Sequence, residues 1–147
     1  MGTIENSTYS SALKTIAERY GISAIYVFGS RASEIAIRMR SGHSDSQKQD
    51  ADLDIGVQPI PGRRLSARER VDIAIALEDL FPVPRVDFIV IPEADPFLAL
   101  DVIRGEIIYC RDMDQQAEDE LYVLRRAGDL AYYEKERREQ ILRDGNR

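Results

Sequence analysis

The feature of the sequence that most constrains the fold is the segment DLDIGV, in which two aspartates occupy alternate positions of an apolar run. Side chains two residues apart in a β-strand point to the same face of the sheet. Asp52 and Asp54 are therefore expected to project together, while Leu53 and the aliphatic residues after it enter the core. Two neighbouring carboxylates repel each other unless a cation lies between them. A packed core does not require this arrangement, so the segment indicates a functional site.

A second segment, VFGSRA, ends an apolar run in Gly29 and Ser30. The preceding residues, ISAIYVF, are β-branched and aromatic, which predicts a strand that leads into a short helix beginning at Arg31. A strand-to-helix turn directs free backbone N–H groups outward, glycine permits close approach, and serine adds a donor for a phosphate. Arg31 can add positive charge to the same anion. Gly29, Ser30 and Arg31 are thus candidate phosphate-binding residues, although a lone Gly-Ser turn is most often only a turn.

A third acidic position is Asp87, the only acid inside the apolar run RVDFIVI. If the strand predicted there lies beside the DLDIGV strand, the side chains of Asp52, Asp54 and Asp87 converge at one edge of the sheet. Oxygen ligands of this kind suit Mg²⁺, and two such ions can hold the attacking and leaving oxygens of a phosphoryl displacement. The three aspartates are therefore candidate catalytic and metal-binding residues. The alternative is that Asp87 only forms an ion pair with Arg85 or Arg104.

Hydrophobic periodicity and end signals predict the other helices and strands. The capping box formed by Ser66 and Glu69 marks one helix start, and the pair Asp95-Pro96 marks another. The predicted elements are helices over 7–20, 66–80 and 97–104, strands over 22–28, 52–57, 85–91 and 106–110, the last at a sheet edge, and a tail helix over about 114–143 that is either continuous or broken near Gly128.

These elements predict an α/β (α+β) fold with a small mixed sheet, flanking helices and a C-terminal helical tail. A chain of 147 residues is the size of one domain. We expect a core over 1–112 and, within the same domain, a helical extension over 113–147. Residues 38–50, RMRSGHSDSQKQD, are polar and aperiodic, which predicts a surface loop, with or without an extension of the short helix before it.

Composition and charge exclude several classes of protein. Hydrophobic residues make up 44% and charged residues 31% of the chain, as in ordinary globular proteins. No apolar run approaches a membrane span, the first residues lack the pattern of a signal peptide, and the single cysteine, Cys110, cannot form an internal disulfide. We therefore expect a cytoplasmic protein that does not enter a membrane. The formal charge of −6 makes nucleic acid an unlikely partner.

Taken together, the segments VFGSRA, ADLDIGV and VDFIVI resemble the nucleotidyltransferase superfamily of DNA polymerase β, and specifically its minimal nucleotidyltransferases. The segment LDVIRGEIIYC is similar to the family's element after the third carboxylate, and the resemblance covers roughly residues 10–112. It implies that Gly29 and Ser30 hold the triphosphate of ATP, that Asp52 and Asp54 bind Mg²⁺, two ions being expected, and that Asp87 completes the site and helps to activate an acceptor hydroxyl. The segment between Ser30 and Asp52 is longer than is usual in the family and is a candidate contact for a partner or for the acceptor.

The resemblance also implies a partner. Many minimal nucleotidyltransferases are antitoxins that pair with a small helical HEPN toxin, and they can move AMP from ATP to a tyrosine of that toxin. This chain has little room for its own acceptor-binding domain, so a HEPN-type protein or a second copy of the chain is expected to complete the site. Two alternatives remain open: transfer to a small molecule, as in aminoglycoside-modifying enzymes, and neutralisation of a partner by binding alone, without catalysis.

Overall fold

The computed structural model of the chain describes residues 2–41 and 52–145 as five α-helices and four β-strands. Two short 3₁₀ turns, Gly29–Arg31 and Ile91–Glu93, follow the first and third strands. The elements in chain order are α1 (Gly2–Tyr20), β1 (Ile22–Phe28), α2 (Ala32–Ser41), β2 (Leu53–Pro59), α3 (Ala67–Leu80), β3 (Val86–Val90), α4 (Pro96–Ile103), β4 (Glu106–Cys110) and α5 (Met113–Gly145).

The four strands form one mixed sheet in the order β3-β2-β1-β4. Strands β1 and β2 are antiparallel, as are β1 and β4, whereas β2 and β3 are parallel and are joined through α3. A parallel pair needs a long crossover connection, and α3 provides it. The predicted mixed sheet with flanking helices and a long C-terminal helix is confirmed, as is the position of β4 at a sheet edge.

Both faces of the sheet are covered, so all seven residues of β1 are buried. Leu13 of α1, Ile35 of α2 and Leu77 of α3 join one apolar cluster with alternate residues of β1 and β2. On the other face, α4 and the first half of α5 pack against Tyr26 and its neighbours in β1. The Tyr26 hydroxyl donates a 2.7 Å hydrogen bond to Oε1 of Glu120, which fastens α5 to the central strand.

The helix-start signals that the sequence predicts for α3 and α4 are present in the structure. Ser66 and Glu69 form the reciprocal capping box of α3, with hydrogen bonds of 3.0 and 3.1 Å. The Asp95 side chain accepts a 2.9 Å hydrogen bond from the backbone N–H of Phe97, and Pro96 occupies the first turn of α4. Helix α5 continues through Gly128 without a break.

One element boundary, the start of α1, differs from the sequence-based expectation by more than two residues. Helix α1 begins at Gly2 rather than near residue 7, because its first residues lack the apolar periodicity on which the prediction relied. Helix α2 extends to Ser41, so the extension of the short helix that the sequence left open is present, and the rest of the predicted polar insertion 38–50 lies outside the described residues. Within the ranges 2–41 and 52–145, no helix is long and apolar enough to cross a membrane.

Gly56 in the middle of β2 allows α4 to approach the sheet. A Cβ atom at this position would overlap Cγ1 of Val102, which is fully buried in α4. Gly128 in α5 is the opposite case, because among the described residues no atom beyond its own stretch of helix would lie within 4 Å of a Cβ atom there. Gly56 is therefore required for the packing of α4 on the sheet, whereas the packing around Gly128 does not require a glycine.

Alanine substitution should separate these two roles. We expect Gly56→Ala to lower the free energy of unfolding by about 1–3 kcal/mol through overpacking. Gly128→Ala should raise it by about 0.5–1 kcal/mol, because alanine is the better helix former. Urea denaturation of both variants and the wild-type protein measures these differences. A Gly56→Ala protein as stable as the wild type would contradict the close approach of α4.

Candidate active site

The candidate site lies at the end of the sheet where β1 stops and both β2 and β3 begin. Strand pairing places Phe28, the last residue of β1, opposite Asp54 near the start of β2. The parallel pairing of β2 and β3 places Asp54 beside Asp87. Asp52 immediately precedes β2 and is exposed. The structure thus brings the acidic positions of two strands together with the turn that follows a third.

Gly29 is in direct contact with the Asp54 carboxylate. Its φ of 78° lies in the left-handed region that favours glycine. A Cβ atom on Gly29 would stand 2.5 Å from Oδ2 of Asp54, so any side chain here would displace the carboxylate. Gly29 therefore forms the turn and leaves space for the carboxylate of Asp54, which lies opposite the end of β1.

Asp54 lies where a negative charge is unfavourable. Partial burial raises the pKa of its carboxyl above the ordinary value, and the charge of Asp87, a hydrogen bond with Asp87 and the charge of Asp52 raise the pKa further. Like charges in register on neighbouring strands destabilise the sheet. A bound cation would reverse this effect, because it converts the repulsion between Asp54 and Asp87 into shared attraction.

Asp87 also has a cationic neighbour within its own strand region. Nε of Arg85 lies 3.2 Å from Oδ1 of Asp87, and the two side chains are 69% and 40% exposed. Of the two ion pairs considered as alternatives to a functional role, the one with Arg85 is therefore formed. An ion pair this exposed contributes little to stability, and solvent competes with it readily. Its presence is compatible with a change of partner at Asp87 when a metal ion or an acceptor binds.

Ser30 and Arg31 follow Gly29 in the 3₁₀ turn but face different surroundings. Ser30 is exposed at the site end of the sheet. Arg31 is only 5% exposed, and its Nε and Nη2 each lie 3.2 Å from a carboxylate oxygen of Glu34. This paired guanidinium braces the turn against the start of α2. Direct contact of either residue with a phosphate stays a prediction.

The donor chemistry of the site fits Mg²⁺, which prefers carboxylate oxygens and retains several water ligands. Asp54 and Asp87 face each other, and Asp52 lies near enough for its charge to raise the pKa of Asp54. In the part of the chain that the structure describes, however, no three His, Cys, Asp or Glu side chains are gathered closely enough to hold a metal ion. The side chain of Asp52 would therefore have to turn toward the facing pair for all three carboxylates to act together.

One residue that shapes the site was missed from sequence. Gly105 follows the helix predicted over 97–104 and has no other signal in the sequence, yet a Cβ atom at Gly105 would overlap the carbonyl oxygen of Val27 and approach Cα and Cβ of Phe28 within 2.9 Å. The α4–β4 connection thus rests directly on the last residues of β1, just before Gly29. No signal in a single sequence distinguishes this glycine from an ordinary helix stop, because the contact joins distant segments.

The fold and the acidic sheet end define the chain as a nucleotidyltransferase-type α+β protein, and a comparison with known families gives the same result. Residues 11–114 match the family described as polymerase beta, nucleotidyltransferase. The matched region spans α1 from its middle to the start of α5 and so includes the entire sheet. The chain therefore belongs to this nucleotidyltransferase family. A comparison with curated proteins finds no significant match.

Solved structures with the same fold come from toxin–antitoxin complexes. A chain from a mutant form of the complex called MntA-HpeT has a TM-score of 0.60 and 18% identity, with 94% of this chain and 98% of that chain covered. A toxin–antitoxin complex with AMP-PNP gives the same values. A complex of tri-AMPylated Shewanella oneidensis HEPN toxin with MNT antitoxin has a TM-score of 0.57 and 18% identity, and both chains are covered completely. Likeness at this identity establishes a shared fold.

Alanine at Gly29 should damage the site more than it damages the fold. We expect Gly29→Ala to lower the free energy of unfolding by about 1–2 kcal/mol, the cost of a left-handed non-glycine residue. Nucleotidyl transfer should fall by roughly 100-fold, because the added Cβ displaces the Asp54 carboxylate. Gly62→Ala is the matched control, since Gly62 has a φ of 84° and, apart from its chain neighbours, no described residue lies within 4 Å of the added Cβ. Equal activity in the two variants would show that the contact with Asp54 is unimportant.

Removal of the Asp54 charge should stabilise the metal-free protein. At neutral pH we expect Asp54→Asn to raise the free energy of unfolding by about 1 kcal/mol, and Tm by roughly 2–4 °C, because the repulsion by Asp87 is lost. The unfolded chain ionises Asp54 near about 3.9, and the folded chain ionises it at a higher pH. This carboxyl therefore costs no stability below the unfolded pKa, and its cost grows as pH rises toward and through the folded pKa.

Thermal unfolding in chelator, in roughly half-unit steps from about pH 3.5 to about pH 7.5, measures how this cost grows above the unfolded pKa. Asp72→Asn, an exposed acid on α3, is the control and should differ from the wild type by no more than about 0.5 kcal/mol. An Asp54→Asn variant that is less stable than the wild-type protein at pH 7 would disprove the repulsion.

Proposed function

We propose that the protein is a Mg²⁺-dependent nucleotidyltransferase that moves AMP from ATP to a tyrosine hydroxyl of a HEPN-type toxin and thereby acts as its antitoxin. The observation that carries the proposal is the facing pair Asp54 and Asp87 on neighbouring parallel strands, with the Asp54 carboxylate against Gly29. The chain is a member of the nucleotidyltransferase family. In it, a carboxylate pair that could bind a metal ion lies beside a strand-to-helix turn that could bind phosphate.

The proposed reaction is an in-line displacement at the α-phosphorus of ATP. The acceptor oxygen forms a bond to that phosphorus, the bond from the phosphorus to the bridging oxygen of the β-phosphate breaks, and pyrophosphate leaves. Gly29 and Ser30 would bind the triphosphate through backbone N–H groups and the serine hydroxyl. Asp87, whose side chain is 40% exposed, would accept the acceptor's proton as a general base. Arg31 would keep the turn in place through Glu34 and add positive charge near the phosphates.

Asp52, Asp54 and Asp87 are the residues that would hold Mg²⁺. Burial and the neighbouring aspartates disfavour the ionised Asp54 carboxyl and raise its pKa, and a bound cation would offset this unfavourable effect. When bound, the metal would neutralise phosphate charge and orient the reacting oxygens. A site with this exposed Asp52 and the exposed Ser30 is open on one side, so an acceptor carried by a second polypeptide can reach it. ATP as the donor implies that the reaction takes place in the cytoplasm.

The partner is proposed from the structures with the same fold. One contains an AMPylated HEPN toxin bound to an MNT antitoxin, and another is a toxin–antitoxin complex with AMP-PNP. The present chain aligns over 94% of its length or more with chains of these complexes. A second copy of this chain remains an alternative for completing the site.

The proposal predicts transfer of label to a partner protein. The full chain with Mg²⁺ and ATP labelled at the α-phosphate should label a helical protein that co-purifies from the native host. Asp52→Asn and Asp54→Asn should each reduce labelling by at least about 100-fold, because each removes a carboxylate from the metal and phosphate site. Asp72→Asn, a charge change of the same kind on the exposed surface of α3, should leave labelling unchanged.

The same experiment separates the alternative functions. Label on an aminoglycoside-type alcohol, with none on protein, would favour a small-molecule transferase. Neutralisation of a toxic partner by the double variant Asp52→Asn and Asp54→Asn would favour inhibition by binding alone. Mass spectrometry of the labelled partner identifies the acceptor residue, and AMP on a residue other than tyrosine would contradict the proposed acceptor.

A further inference from the structure

Helix α5 leaves one of its long sides uncovered. Val123 and Ala127 are buried against the sheet, whereas Leu121 and Leu124, on another side of the helix, are 50% and 47% exposed. Met113, at the start of that side, is 79% exposed. Large apolar side chains that are exposed in consecutive turns of a helix mark a surface that another protein covers.

The exposed positions on this side of α5 repeat every seven residues. Steps of three and four residues alternate along the helix, as they do in the seam between two paired helices. A helix with this repeat presents one continuous stripe to a partner. We name the stripe the α5 seam, and its exposed residues are Asp114, Ala117, Leu121, Leu124, Gly128, Ala131, Lys135, Arg138 and Leu142.

Gly128 lies in the middle of the α5 seam, where its own chain gives it no role. Glycine in the interior of a helix is destabilising, because folding orders its freer backbone. Among the described residues, no atom beyond its own stretch of helix lies within 4 Å of the place that a Cβ atom would take. A second helix would give this glycine a role, because a position without a side chain accommodates a large side chain of the facing helix.

The charges of the α5 seam are divided between its two ends. Asp114 in the seam and Glu118 beside it make the first end acidic, and Lys135 and Arg138 make the other end basic. All four side chains are exposed, and none forms an ion pair with another described residue. A second α5 helix therefore fits in the antiparallel direction, which sets acid against base, whereas the parallel direction sets like charges together.

Side-chain size selects one register for such an antiparallel pair. If the pair is centred between Leu124 and Gly128, Leu124 of one chain faces Gly128 of the second copy. Leu121 then faces Ala131 of the second copy, and each contact occurs twice by symmetry. Each leucine thus meets a residue with one side-chain carbon or none, which allows the two helices to pack closely.

The same register pairs the charges. Asp114 faces Arg138 of the second copy, and Glu118 lies beside Lys135 of the second copy, each again twice. A displacement by one seven-residue repeat in either direction removes all of these charge pairs. Size and charge therefore select the same arrangement, although they depend on different residues.

We propose that a second copy of this chain docks on the α5 seam, so that the two α5 helices form an antiparallel pair from Asp114 to Arg138. At 1.5 Å per residue this contact is roughly 36 Å long. The proposal does not depend on nucleotidyl transfer, because no residue of the seam belongs to the carboxylate cluster or to the Gly29 turn.

Sedimentation equilibrium of the full chain tests the dimer. The average mass should increase with protein concentration and reach twice that of one chain by about 200 μM, because association follows mass action. A mass equal to that of one chain over the whole range from about 1 to about 200 μM would overturn the proposal.

Charge reversal tests the antiparallel direction. Asp114→Arg and Arg138→Asp should each raise the dissociation constant by about tenfold, because two attractive pairs in the dimer become repulsive. An equimolar mixture of the two variants should dimerise like the wild type, since every facing pair again joins Asp to Arg. Arg137→Asp, an exposed charge reversal outside the seam, is the matched control and should leave the dissociation constant unchanged. Two single reversals that dimerise as tightly as the wild type would contradict the antiparallel direction.

Gly128→Gln tests the contact between leucine and glycine. Glutamine is the better helix former, so the separated chain should resist thermal unfolding at least as well as the wild type. The dissociation constant should nevertheless rise by about tenfold or more, because the new side chain occupies the place of Leu124 of the second copy. Asp129→Gln, at the adjacent exposed position outside the seam, should leave it unchanged. A Gly128→Gln chain that dimerises like the wild type would disprove this contact.

A helical protein that co-purifies from the native host is the other candidate for the α5 seam. If the isolated chain stays monomeric and Leu124→Gln abolishes capture of that protein, the seam belongs to the partner and the proposal of a second copy is overturned. If Leu124→Gln abolishes self-association and leaves the capture unchanged, the seam joins two copies of this chain as proposed.

Discussion

The structure depends most on the register between two parallel strands, which sets Asp54 directly beside Asp87. A shift of one residue would turn Asp54 into the core and Leu53 or Ile55 toward the site. Leu53 and Ile55 are fully buried on the opposite face, so the apolar cluster beneath the sheet holds the register. The repulsion between the two carboxylates is thus maintained by hydrophobic packing. It persists in the folded chain because the core outweighs it.

Close backbone approach is the second constraint on the site. Gly29 leaves space for the Asp54 carboxylate, and Gly105 allows the α4–β4 connection to rest on the end of β1. Gly56 performs the equivalent function in the middle of β2, where α4 crosses the sheet. Each glycine lies where two segments meet without room for a Cβ atom. Together they fix the distance between the turn, the acidic strand ends and the helix layer above them.

Helix α5 combines two different environments. Its first half is attached to the sheet through Val123, Ala127 and the hydrogen bond from Tyr26 to Glu120. From residue 131 to residue 145 every side chain is exposed. The buried half therefore belongs to the core that positions the strands, whereas the exposed half is stabilised by its own backbone hydrogen bonds and by local pairs such as Tyr132 with Glu136.

The sequence by itself determined the order and type of the elements, since strand alternation, the Ser66 capping box and the Asp95-Pro96 helix start are local signals that tertiary packing did not override. It also identified the motif positions, because Gly-Ser and alternate aspartates are unusual within apolar runs. Only the tertiary structure decided which carboxylates face each other, that Arg31 is buried against Glu34, and that Gly105 rests on the end of β1. Those properties arise from strand pairing, solvent exclusion and helix packing, which join residues whose separation along the chain carries no information about their contact.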